Sequence, residues 1–377
     1  MRKILSLMAI AAMVLTMAGV MTSCEGNDPE QDDFQFTVKT LSNKAHVVVK
    51  ATQTGEYFFF GMAEKSTIDN AGGVQKYVEG IMKASKFDAL LESGAIVKNT
   101  VDDVFPTNAE SICRAYACYV EKGVDGYAKI VGNIAYKTFT TLPAYTLNGE
   151  FTVNENGKKV CFRTSNLQLD NDGDHLYSYD QYTCYGNFGD NTSNPRDLFE
   201  WAKTERDEAA EVLTADEWWY LFRERPNAEK LFSYATISIN KKYIHGLILL
   251  PDNWQAPDGI SFKTGFDMGV LWDEDSKRYK NPDPYFDGFS KNDFRNSSAW
   301  EKVECSGAVF LPVAGYGEND RTYLTNSCGY YWSSTADPED ANRAFAFCFG
   351  REDLSVNLLT SSKLKAFGFC IRPVVVK

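Results

Sequence analysis

The sequence predicts two folded units in series, an all-β sandwich carrying a helical insertion and then an α+β domain. Three observations carry that expectation. From Phe34 to Thr141, apolar and polar residues alternate with period two in short runs broken by Gly, Asn and Asp. Beyond Pro143, helix signals come first and strand-like runs come last. The chain has 377 residues, 44% of them hydrophobic, which is enough for about two domains with cores of their own.

Taken in order, the chain opens with Arg2 and Lys3 before an apolar run from Ile4 to Met21 that ends in Thr22, Ser23 and Cys24. Charge, apolar stretch and small residues are the three parts of an export signal over residues 1–23, with a retained spanning helix as the alternative. An acidic stretch at 24–33 reads as a tether. Strands are expected at Phe34–Thr40, Ala45–Ala51, Tyr57–Met62, Ser111–Val120, Tyr127–Val131 and Tyr136–Thr140. Val74, Tyr77, Val78, Ile81 and Met82 recur at helical spacing, and Leu90 and Leu91 extend the pattern, so a helical insertion is expected to cross between the sheets. Pro143, which has no N–H for a sheet ladder, marks the boundary, giving a first domain over 34–142 and a second over 146–377.

In the second domain, Phe151 and Val153 face Val160 and Phe162 across Asn156 and Gly157, the pairing that favours a hairpin. A helix is expected over 197–211. Thr214 and Glu217 form a capping box that opens another, with Trp218, Leu221 and Phe222 inward and Pro226 as the stop. Strands are expected at Ile244–Leu250, Ala308–Leu311, Tyr330–Ser334, Ala344–Phe349 and Phe367–Val375.

Charge narrows the partners. With 51 Asp and Glu against 39 Lys and Arg and no basic run, the chain would be repelled by a phosphate backbone, so nucleic acid is excluded as an expected partner. Cleavage before Cys24 would remove Arg2 and Lys3 and no acid, taking the net charge from −12 to −14.

Several segments resemble known families. Met21–Cys24 resembles a bacterial lipoprotein signal of the relaxed Bacteroidetes type. That implies Cys24 as the attachment point of acyl chains such as palmitate, and a protein held at the outer membrane by its lipid. The acidic tract after it resembles a surface-export signal and implies exposure at the cell surface. Val104–Tyr119 resembles the E-to-F turn and F strand of fibronectin type III-like domains, and the first domain is expected to be of that immunoglobulin-like kind. Gly149–Val153, Lys159–Phe162, Leu213–Phe222, Leu249–Asp252, Gly307–Tyr316, Gly329–Thr335 and Phe367–Val374 look like the Bacteroidetes and Fibrobacter major paralogous domain. That domain is similar to the C-type lectin-like fold and is distantly related to formylglycine-generating enzymes. The resemblance implies binding of sugars or proteins, or an oxidase chemistry that uses a Cys pair. The Ca²⁺-binding carboxamide and carboxylate motifs of the lectins do not occur in this sequence.

The candidate residues follow from chemistry. Asp170, Asp172 and Asp174 are an oxygen-rich run, the best Ca²⁺ candidate, but Gly173 and Gln181 do not stand where an EF-hand needs Gly and Glu, and a solvated turn is the competing reading. The chain has only three His: His46 in the first domain, His175 beside the acidic run and His245 in an apolar strand, so no metal centre and no triad is expected. Cys348 and Cys370 lie on successive expected strands and form the disulfide candidate. The stretch from Trp272 to Phe286 mixes Trp272, Tyr279, Tyr285 and Phe286 with both charge signs. Such long excursions either bind ligands or pack on their own aromatics. Tyr316 and Tyr330 complete the ligand-binding candidates; Trp332 is expected in the core. No cofactor is expected. The resulting expectation is a non-enzymatic surface lipoprotein that binds a glycan or protein ligand. A structural component of a fimbria-like assembly comes second and a thiol-dependent oxidase third.

Overall fold

The computed structural model describes residues 33–169, 175–179, 181, 210–239, 242–283, 285–295, 297–318, 321–350, 356–357 and 362–377. The export signal, Cys24, nearly all of the tether, Asp170, Asp172 and Asp174, and residues 197–209 of one expected helix lie outside them. The described residues form mostly antiparallel β-sheet with a smaller helical share. Contacts divide the chain into units Met1–Leu142 and Pro143–Lys377. No helix among the described residues is long and apolar enough to cross a membrane.

The first unit contains β1 (Phe34–Thr40), β2 (Lys44–Ala51), β3 (Tyr57–Glu64), α1 (Lys65–Asn70), α2 (Val74–Ala84), α3 (Phe87–Ser93), β4 (Ile96–Lys98), β5 (Thr100–Pro106), β6 (Ile112–Lys122) and β7 (Ala128–Thr140). Two sheets result, in the orders β1-β2-β5 and β4-β3-β6-β7. Alternation along β3 explains the layering. Phe58 and Phe60 point into a core shared with Val47 and Val49 of β2, whereas Phe59 points the other way, towards Val78 and Met82 of α2 and Leu90 of α3. The helices therefore cover the outer face of the second sheet. They connect β3 to β4 within that sheet and do not cross between sheets, which corrects the expectation. The stretch expected to hold two strands after Tyr127 is one long strand, β7, with a register irregularity opposite Ala117–Tyr119.

The second unit opens with β8 (Phe151–Thr152) and β9 (Lys159–Phe162), followed by the short hairpin β10 (Gln168–Leu169) and β11 (His175–Leu176). At the first turn only Gly157 takes positive φ, at 79°, and its N–H bonds back to the Asn154 carbonyl, so the tight two-residue turn is replaced by a longer loop. Ala210 and Glu211 are extended, Glu211 bridging to Val374, where a helix end had been expected. The capping box forms as expected: Thr214 accepts from the Glu217 N–H, and Glu217 accepts from the Thr214 N–H. It starts α4 (Ala215–Trp219), which runs on through a wider turn to Glu224 and buries Trp218, Leu221 and Phe222.

β12 (Phe232–Ile239) and β13 (Lys242–Leu249) form a hairpin paired along its whole length, followed by the small hairpin β14 (Leu271–Asp273) and β15 (Arg278–Lys280). Next come β16 (Asp293–Phe294), α5 (Ser297–Cys305) and β17 (Val309–Pro312), and the sheet order is β16-β12-β13-β17. One face of this sheet, with Ala235, Ile237, Ile244 and Ile248, packs on Trp300 and Val303 of α5. Gly246 lies on the same face, where a Cβ would fall 2.3 Å from the Phe310 ring, so glycine is what lets that ring lie over the sheet. The unit closes with β18 (Tyr316–Glu318), β19 (Arg321–Tyr323), β20 (Cys328–Ala336), β21 (Arg343–Gly350), β22 (Val356–Asn357), β23 (Ser362–Leu364) and β24 (Val374–Val376), and β24 pairs with β9.

Arg372 sits at the join of these pieces, with 0% of its surface exposed. Its Nε donates to the Asn166 Oδ1 at 2.9 Å, and its two terminal nitrogens donate to the carbonyls of Arg163, Thr164, Gln181 and Phe310 at 2.8–3.2 Å. A guanidinium offers five N–H donors in a fixed fork, and here each of these five bonds ties down a different backbone or carboxamide oxygen. Arg225 does similar work near α4: it donates to the carbonyls of Leu221, Leu231 and Leu250 and to Asp252, and burial pulls its pKa down to about 10, still charged at neutral pH.

Replacing Arg372 by Met strands several buried oxygens, so urea unfolding of the Arg372→Met protein is expected to show a loss of at least about 3 kcal/mol. Arg372→Lys, with three donors in place of five, is expected to recover only part of it. Wild-type stability in both variants would refute this role.

Candidate functional site

The aromatic residues singled out from sequence separate into two groups. Trp272 and Tyr279 face each other across the β14–β15 hairpin with ring centroids 5.3 Å apart. Tyr279 is 1% exposed; its hydroxyl donates to the Phe222 carbonyl at 2.6 Å and its ring packs on Phe232. It is a core residue, and burial pushes its hydroxyl up to about 12. Trp272 packs edge-on against Trp219 at 5.3 Å, and the Arg223 guanidinium lies 4.7 Å over its ring while bonding to Glu274. The hairpin at the start of the excursion is thus packed by aromatics, its own Trp272 and Tyr279 against Trp219 and Phe232. At its far end Tyr285 is 92% exposed and Phe286 is half-buried near the Lys291 ammonium.

Tyr316 and Tyr330 form the second group, with rings 5.5 Å apart. Tyr316 stacks on Tyr323 at 5.3 Å, and Tyr330 stacks on Phe369 at 5.0 Å. Burial raises the pKa of both hydroxyls, most strongly for Tyr330. Next to them, Trp332 is buried with Phe369, while Tyr331 points to the opposite face and donates to the Pro312 carbonyl.

The expected Cys348–Cys370 pairing is not formed. Cys348 lies opposite Tyr330 on one side of β20, and Cys370 bridges Tyr331 on the other side. Cys348 shares a core cluster with Phe369 and Ile371, whereas Cys370, between them in sequence, points to the opposite face. A whole strand therefore separates two thiols that sequence spacing had put on neighbouring strands. Cys113 and Cys118 both lie on β6. Among the described residues no three His, Cys, Asp or Glu side chains cluster as metal ligands would.

A cleft of about 680 Å³ opens elsewhere, on the side of the β16-β12-β13-β17 sheet away from α5. Register builds it. Thr236 lies opposite His245, Ser238 opposite Tyr243, and Asp293 beside Thr236, so their side chains share the face that the apolar residues Ile237 and Ile244 do not use. Asn292 fixes Asp293 in place: its buried carboxamide donates to Ser233 and to the Tyr234 and Lys263 carbonyls, while its own carbonyl accepts from the Thr236 N–H. Lys242, Ile244 at the rim, Ser290, Arg295 and Asn326 complete the lining.

The hydrogen bonds assign roles. The Thr236 hydroxyl has one proton and gives it to the Phe289 carbonyl at 2.8 Å. It must then accept from His245 at 2.8 Å, so Nδ1 carries the proton of the neutral imidazole and Nε2 is an acceptor. Asn326, in the left-handed conformation at φ 61°, turns its Oδ1 to the His245 backbone N–H and so offers its amino group to the cleft. Arg295 donates from Nε to both Asp293 oxygens at 2.7 and 2.6 Å and lies 5.3 Å over the Tyr243 ring, which is 57% exposed. These bonds hold the Asp293 carboxyl below its ordinary range.

Sequence reading passed over this group because His245 stands among apolar residues. The available signal was the alternation itself: Tyr243 and His245 flank Ile244 and must point away from the core that Ile244 joins. Comparison with protein-family models, with curated proteins and with solved structures returns no match.

Nitrogen-15 chemical shifts of the full protein at a pH where imidazole is neutral are expected to show His245 protonated at Nδ1. Thr236→Val should shift that tautomer towards Nε2–H, and an Nε2–H form in the wild type would overturn the assignment.

Proposed function

We propose that the protein is a non-catalytic lipoprotein of the outer membrane, anchored through Cys24 and exposed at the cell surface, which binds a glycan or protein ligand through a C-type lectin-like second domain. A fibronectin type III-like first domain acts as the spacer. The observation that carries this reading is the cleft beside Tyr243. Its volume is in the range of small-ligand sites, and it combines an exposed aromatic face with polar groups held by buried neighbours. The segments that resemble the major paralogous domain fall on β8, β9, α4, the end of β13, β17, β20 and the C-terminal strand, the elements that build the second unit. The thiol-oxidase reading finds no support in Cys348 and Cys370, which share no face.

A second reading, a structural subunit of a surface assembly, is favoured by β7. This 13-residue strand ends its sheet and pairs only with β6 among the described strands, an edge to which another chain could add.

A glycan array probed with wild type and Tyr243→Ala tests the first reading. Binding that falls at least about fivefold in the variant is expected, since a stacked ring contributes of order 1 kcal/mol or more. Glycan binding untouched by the substitution would reject the cleft, and concentration-dependent self-association without any ligand would favour the second reading. Metabolic labelling with palmitate should mark the wild-type protein and not Cys24→Ala; equal labelling would reject the anchor.

A further inference from the structure

The hydrogen-bonding capacity of the Tyr243 cleft is weighted towards donors. Arg295 has five N–H groups. The Nε–H and one on Nη2 serve Asp293, while the guanidinium lies over the Tyr243 ring. With the Nε and Nη2 edge on Asp293, three N–H groups remain on the two terminal nitrogens, the part of a guanidinium that can meet a second anion. Among the described residues the Lys242 ammonium has no hydrogen bond or ion pair, so its three donors add to the set. The Asn326 amino group supplies two more, its oxygen being committed to His245.

Acceptors are fewer, His245 Nε2 among them. Ser290 donates its proton to the Asp287 carbonyl and can only accept; the Asp293 oxygens already receive the Arg295 N–H groups from side chain and backbone. Two cations against one carboxylate leave this lining with a charge of +1 on a chain of net charge −12. A neutral sugar presents as many hydroxyl donors as acceptors and would leave part of this set unused. A carboxylate-bearing sugar matches both halves of the cleft, its ring on Tyr243 and its anion on Arg295 and Lys242.

We propose that the cleft binds an acidic sugar, a uronic-acid type of residue, through the terminal N–H groups of Arg295 with Lys242 as the second cation and Tyr243 as the stacking surface. The proposal rests on the reading of this cleft as the ligand site. Arg295 and Lys242 are exposed side chains, so their replacement leaves the sheet intact.

The test is calorimetric titration of the full protein with galacturonate, galactose, galactose 6-sulfate and an oligo-glutamate peptide. Galacturonate should bind at least about tenfold more tightly than galactose, the contribution expected of hydrogen bonds to a charged group. Arg295→Gln should remove that preference. Arg295→Lys should not restore it, because an ammonium has no fork. The preference should shrink as salt is raised. Equal binding of galacturonate by Arg295→Gln and wild type would overturn the acidic-sugar inference, and so would preferential binding of galactose, of the sulfate or of the peptide. Loss of binding in Tyr243→Ala alone would then still uphold the cleft as the site. Galacturonate binding unmoved by any of these substitutions would overturn both.

Discussion

The second unit depends on a buried positive charge. Arg372 lies wholly inside, and its five donors reach the end of β9, the turn after it, Gln181 and the Phe310 carbonyl of β17. Desolvating a guanidinium is costly, and only complete hydrogen bonding offsets it. That condition is strict in geometry: five oxygens from segments far apart in sequence must converge within hydrogen-bonding distance, which excludes most alternative packings of the same apolar residues. Gln181 repeats the device beside it. Its carboxamide donates to Glu304 and the Ala308 carbonyl and accepts from the Phe310 N–H, so β17 and the end of α5 are fixed from the same side.

The cleft inherits its shape from that join. β17, held at Phe310, pairs with β13 along Leu249 to Gly246, and β13 continues to His245 and Tyr243 at its open end. Asn292 fixes the opposite border by tying the segment before Asp293 to β12. Lys242, Tyr243, Asp293 and Arg295 are therefore exposed side chains on a backbone pinned by buried hydrogen bonds of Asn292 and Thr236. Such a site keeps its geometry before the ligand arrives, and binding then costs little ordering of the protein.

Local features of this chain were legible in its sequence, and features set by register were not. The Thr214–Glu217 capping box forms because all its groups lie within one turn, and the inward Trp218, Leu221 and Phe222 follow from helical spacing alone. The alternation of Phe58, Phe59 and Phe60 was likewise visible, but not that helices would cover the Phe59 side. β5 was overlooked because Asp102 and Asp103 and the closing Pro106 dilute its strand pattern; at the end of a sheet such residues are tolerated. Cys348 and Cys370 looked like neighbours because sequence does not reveal that β20 lies between them. Tyr279 looked like a binding residue until its hydroxyl was found on the Phe222 carbonyl. Tyr243, His245, Asp293, Arg295 and Asn326 come from three stretches of chain that only the tertiary fold unites, and no local pattern joins them.

The claim at the centre of this account is that ligand is held on the open face of the β12–β13 hairpin and not on the aromatic hairpin around Trp272. Backbone amide chemical-shift mapping of the full protein during titration with a uronic-acid sugar separates the two. The account predicts saturable shifts concentrated at Thr236, Lys242 to His245, Arg295 and Asn326. Shifts confined to Trp219, Trp272 and Tyr279, or to Tyr316 and Tyr330, would contradict it.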